Sequence, residues 1–197
     1  MRKIIFICLF LQAISVGAQT RNTREILVGE VTVMDKLCKV YADISPDSSQ
    51  IYQFSIEPCF VRLDTWGEYR FVIPVTPSMI EEFNLISQKY KEWSKVAIDN
   101  KAVVKKDMEI ETPIRKSREK VSNKVETFDI SIKPYFAYTL KKDPTLAFTE
   151  SAHDKYHPNY YSLIFSNPEQ LDNFISFLDP KIVLDKIKKG QIGSLFK

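Results

Sequence analysis

Two stretches of this chain, beginning 91 residues apart, follow one plan, and any fold must accommodate both. WGEYRFVIPVTPSMIEEF begins at Trp66, and HPNYYSLIFSNPEQLDNF begins at His157. In register, Tyr69 meets Tyr160, Val72 meets Leu163 and Ile73 meets Ile164. Thr76-Pro77 then meets Asn167-Pro168, Ile80 meets Leu171, Glu81 meets Asp172 and Phe83 meets Phe174. Each copy reads as turn, apolar strand, polar cap, proline and amphipathic helix. Proline fits the first helical turn because the N–H it lacks has no partner there, and the polar residue before it supplies a capping oxygen. Duplication would produce the match, and so would two strand-to-helix junctions meeting the same capping requirement. Both origins predict two hairpin-plus-helix units, and hence an α+β fold. In it, two to three amphipathic helices pack on one face of an antiparallel or mixed sheet.

The first helix has the clearest pattern. Met79, Phe83, Ile86, Tyr90, Trp93 and Ala97 step by four, three, four, three and four, which lays one apolar stripe down five turns. Glu81, Glu82, Lys89 and Glu92 fall elsewhere on its surface. A second helix is expected from Pro168 to about Leu178, and a third from Asp179-Pro180 to a glycine cap at Gly190. Strands are expected at Glu25 to Asp35, Leu37 to Ile44, Ile51 to Leu63 and Tyr69 to Val75. Four more follow at Thr127 to Lys133, Tyr135 to Leu140, Leu146 to Glu150 and Tyr160 to Phe165. Pro46-Asp47-Ser48-Ser49 marks a turn. Asp99 to Asp107 reads as a polar connector with a small apolar centre, and Arg115 to Lys124 as a solvated loop or short exposed helix.

The N-terminus predicts export. Arg2 and Lys3 precede an apolar run from Ile4 to Val16, and Val16-Gly17-Ala18 places small residues before Gln19. That is the order of a secretory signal. The run is too short to span a bilayer, and Cys8 lies inside it, not at the cut site, which argues against a lipid anchor. Residues 1–18 are thus expected to be a signal peptide, and 19–197 a single α+β domain with half-repeats at about 25–100 and 120–190. The destination is periplasmic or extracellular, and no transmembrane segment is expected in the mature chain.

Removing Arg2 and Lys3 from the 28 basic residues leaves 26 against 25 acidic ones, a charge of +1. Charges are mixed along the chain, so nucleic acid and anionic membrane have little support as main partners. The 44% apolar and 12% aromatic content is that of a globular protein. Of three cysteines, Cys38 and Cys59 remain after the signal. In an oxidising compartment they form a plausible disulfide, with two buried thiols as the alternative.

Motifs for chemistry are sparse. Glu150, His153, Asp154 and His157 are metal-ligand types within one segment, and they include both histidines of the chain. Asp154 stands where zinc hydrolases place a glutamate, and Pro158 and turn residues work against a helix presenting both rings. A wet surface loop is the ordinary reading of such a segment. There is no Gly-x-Ser-x-Gly elbow and no Gly-rich phosphate loop, and no cofactor is implied. Trp66, Tyr69, Tyr156, His157 and Tyr160 cluster at equivalent places in the two echoed segments. Their rings carry polar tips suited to a protein or glycan surface. These residues point to a non-catalytic exported domain binding a protein or envelope component through loop and sheet surfaces. Two other readings stay open. One is a small secreted hydrolase using His153, His157 and a nearby acid, with or without a metal. The other is an assembly subunit whose edge strand pairs with a partner.

Overall fold

The structure is a computed structural model that describes residues 23–33, 36–57, 68–112, 114–119, 125–128, 132–140, 142–150 and 162–190. The described chain forms ten strands and three helices. First come β1 (Arg24–Val33), β2 (Lys36–Ile44), β3 (Ile51–Ile56), β4 (Glu68–Pro74) and α1 (Met79–Asp99). Then follow β5 (Val104–Asp107), β6 (Arg115–Glu119), β7 (Val125–Phe128), β8 (Ile132–Thr139), β9 (Lys142–Glu150) and β10 (Ser162–Phe165). The chain closes with α2 (Pro168–Ser176) and α3 (Pro180–Lys188).

All strand pairs are antiparallel. They divide between two sheets, ordered β1-β2-β3-β4-β6-β7 and β10-β9-β8-β5. With the β6–β7 hairpin set aside, each sheet is a run of four strands followed by a helix, β1 to β4 before α1 and β5, β8, β9, β10 before α2. The echoed segments are the last strand and helix of each run. The chain is thus α+β, with both hairpin-plus-helix units in place.

The α1 stripe is core: Met79, Phe83, Ile86 and Tyr90 are wholly buried and Ala97 nearly so, while Trp93 is half-buried. The helix lies over β8 and β9, whereas α2 touches α1, β1 and β10. Between these elements sits a chain of aromatic rings. Phe83 meets Phe148 edge-on at 6.2 Å between centroids and Phe174 at 6.0 Å, and Phe165 stands 5.4 Å from Phe174. Edge-to-face packing sets positive ring edges on negative faces and adds to the burial itself. The Tyr90 hydroxyl enters this core and donates to the backbone, 2.7 Å from the Pro144 carbonyl oxygen and 3.1 Å from that of Phe165. Burial, with the charge of Asp143 second, pushes its pKa well above the usual phenol range.

In β1, Ile26 and Val28 are buried, and then Val31 and Val33. Strand side chains alternate faces, so this change of phase needs one extra residue. The ladder supplies it, stepping from Leu27↔Tyr41 to Gly29↔Val40.

Several expected elements are placed differently. Thr76 does not cap α1; the helix begins after Ser78, which makes no side-chain capping bond and donates its hydroxyl to Glu82 at 2.7 Å. The later helices follow the expected chemistry. Asn167 accepts from the Gln170 N–H, Asp179 accepts from Lys181 and Ile182, and Gly190 has φ +69°. Arg115 to Glu119 is a strand because β6 finds β4 and β7 as neighbours on either side, and pairing overrides its charged composition. The charged end of the connector after α1, Val104–Asp107, becomes β5, paired to β8.

Candidate functional site

Four sheet edges decide which surfaces are open. Strands β1 and β10, one edge from each sheet, lie against each other, and α2 packs on both. The remaining edges are β5 and β7. Beside β5 the molecule has an apolar groove of about 380 Å³. Its walls are Trp93, Val96 and Ala97 of α1, Ala102 of the connection, Val104 and Lys106 of β5, and Phe136 of β8. It lies where the flank of α1, which packs over β8 and β9, meets the outermost strand of that sheet.

Trp93 forms one wall. Its ring stands edge-on to the buried Phe136 ring at 5.6 Å, which fixes its plane. Two ammonium groups lie against it, Lys89 at 5.1 Å and Lys106 at 5.6 Å from the ring centroid. A cation over an indole face is attracted by the ring quadrupole. Neighbouring lysines of α1 are already paired. Lys91 holds Asp172 at 2.7 Å and Lys95 holds Asp99 at 2.5 Å, a bond that raises the Lys95 pKa. Lys89 and Lys106 have no carboxylate partner among the described residues.

Exposed apolar side chains collect at the same end. Val96 is 59% exposed, Val103 62% and Leu140 61%. Val96 lines the groove and Val103 lies between two lining residues. The pairing of Val104 with Tyr138 carries the β8–β9 turn, and with it Leu140, beside that connection. Scattered surface apolar residues are ordinary, but a contiguous group beside a groove marks a contact surface.

A second concavity, of about 480 Å³, lies between β1 and α2 and is lined by polar groups such as Glu30, Asn167, Gln170 and Asn173. Two of those amides are engaged: Asn167 caps α2, and the Gln170 carbonyl oxygen accepts from the Ser166 N–H at 2.8 Å. Its polarity serves the helix start.

Trp66, His153, Asp154, Tyr156, His157, Tyr160 and Cys59 lie outside the described residues. Tyr69 belongs to β4, opposite Arg118 of β6, and Glu150 ends β9, opposite Ile132 of β8. The segments holding the others join β3 to β4 and β9 to β10. Cys38 is buried on β2 opposite Val31. Among the described residues no three His, Cys, Asp or Glu side chains gather to hold a metal, and no helix is long and apolar enough to cross a membrane.

The groove was hidden from sequence reasoning because Trp93 fits the core stripe and so reads as buried. The available signal was off the stripe: Val96 and Val103 are apolar residues among charges. Compared with family models, curated proteins and solved structures, the chain matches none.

Proposed function

We propose that this chain is an exported, non-catalytic binding domain that recognises a protein or another envelope component through its surface at the β5 end of the second sheet. The observation that carries the reading is the exposure of Val96, Val103 and Leu140 beside the Trp93 groove. Exposing them to water costs solubility, and a covering partner recovers the burial energy.

Export is supported by the charged start, apolar run and small-residue site of residues 1–18. A bridge from Cys38 to Cys59 belongs to the same proposal. The Glu57 N–H donates to the Lys39 carbonyl at 3.0 Å, which sets a residue two before Cys59 in sequence beside the neighbour of Cys38. Only Cys59 remains in the mature chain to complete the pair.

The test uses the exported protein as bait for a detergent-solubilised envelope fraction of the producing organism, beside a Val96→Asp/Leu140→Asp variant. Both positions are more than half exposed, so the substitutions should change folding stability by only about 0.5 kcal/mol each. The expected outcome is a protein retained by the wild type and lost from the variant at unchanged melting temperature. Equal retention by both would overturn the proposal.

A further inference from the structure

The open edge of β5 and the groove beside it form one device, and the geometry points to a strand-addition site for an extended, acidic segment of a partner protein. This rests on the reading of the domain as a binding module and specifies what it takes.

Strand β5 is last in its sheet, so one side of its backbone has no ladder partner among the described residues. Which groups face outward follows from register. Met108 donates its N–H to Pro134 of β8 at 2.8 Å, and antiparallel bonding alternates along a strand. Val104 and Lys106 therefore bond inward to β8, while the N–H and C=O of Lys105 and Asp107 point away from the sheet. An added strand would lie about 4.8 Å further out, on the open side of β5. Its groove-facing side chains would continue the row of Val104 and Lys106, both of which line the groove.

Charge selects the occupant. A second copy pairing β5 to β5 antiparallel would centre on one residue, and centring on Lys105 or on Lys106 sets that lysine opposite its own copy, where like charges destabilise a ladder. Lysines on an edge strand discourage self-association for this reason. The same lysines suit carboxylates. Lys89 and Lys106, without carboxylate partners among the described residues, both lie against the Trp93 ring. The segment that fits carries an apolar residue for the groove and, two positions on along the same face, a Glu or Asp for the two ammonium groups. Backbone pairing supplies affinity and the groove supplies specificity.

The test measures fluorescence anisotropy of labelled Thr-Leu-Thr-Glu-Thr-Leu-Thr-Glu on the full exported protein. Thr-Leu-Thr-Lys-Thr-Leu-Thr-Lys and phosphatidylglycerol vesicles serve as comparison probes. The acidic peptide should bind and the basic one should not. Lys89→Glu with Lys106→Glu should weaken binding by about ten-fold or more. Lys105→Pro removes an outward donor and no bond to β8, so it should abolish binding that Lys105→Gln retains. If the proline variant fails to fold, the charge reversal decides. Equal binding of both peptides, or unchanged binding by the charge-reversed variant, would overturn the inference, as would binding to vesicles but not to the acidic peptide. A captured envelope protein lost on Val96→Asp/Leu140→Asp, yet not displaced by the acidic peptide, would remove strand addition and leave the binding-domain reading standing. Capture indifferent to those substitutions would remove both.

Discussion

At position 29 the packing admits a hydrogen and nothing larger. A Cβ built there would stand 2.4 Å from the Phe177 ring, which closes over β1 at the end of α2. The same residue follows the extra residue that resets the phase of β1, so the strand and the ring are fixed together. Gly29→Ala should therefore destabilise by about 1–3 kcal/mol, the usual range for forcing a methyl group into a filled space. Phe177→Leu alone loses packing, but in combination it makes room. The double substitution should cost measurably less than the sum of the singles in urea denaturation, the mark of direct coupling. Additive costs would mean that the two residues do not press on one another.

The element scale turns on the joint between α1 and α2. Asp172 accepts from the Ser87 hydroxyl at 2.5 Å and pairs with Lys91 at 2.7 Å, bridging helices that belong to different halves of the chain. Burial acts to raise its pKa, but the Lys91 and Ser87 hydrogen bonds and the Lys91 charge outweigh it and leave the pKa below the ordinary 3.8. A carboxyl with a lowered folded pKa stabilises the fold at pH values above its unfolded pKa, and that contribution disappears as pH falls through the folded one. Asp172→Asn should accordingly cost about 0.5–1 kcal/mol near neutrality, because the pair is half exposed and solvent screens it. The cost should shrink towards zero as pH falls below 3.8 in a denaturation series. A constant cost across that range would show that packing, not charge, is lost. Asp172 is the echo partner of Glu81, and Phe174, which packs on Phe83, is the echo partner of that same Phe83. Sequence showed the repeated junction but not that its two copies meet. Strands rich in Val, Ile and Phe and helices with regular stripes were legible because burial imposes their period. Strands β5 and β6 were not, since VKKD and RKSRE owe their extended form to neighbours far along the chain. For the same reason the groove escaped notice: its walls come from α1, β5 and β8, which only folding brings together.

Across the whole molecule, the two sheets close one pair of edges and leave the β5 edge beside a strip of apolar surface. Strands β1 and β10 meet beneath α2, and α1 and β5 wall the groove together. Binding at that edge would complete an arrangement the fold leaves open, at the end where Val103 and Leu140 face water. The proposed Cys38–Cys59 bridge would tie β2 to the connection leaving β3, in the other sheet, so it would stabilise the scaffold without touching this surface. Backbone amide exchange, followed residue by residue with and without the acidic peptide, tests the proposal most directly. The amides of Val104 and Lys106, bonded to β8, should be protected in both states, whereas those of Lys105 and Asp107 should exchange freely alone and slow on binding. If Lys105 and Asp107 exchange at the same rate with the peptide bound, or if protection appears at another edge instead, β5 is not where this protein receives its partner.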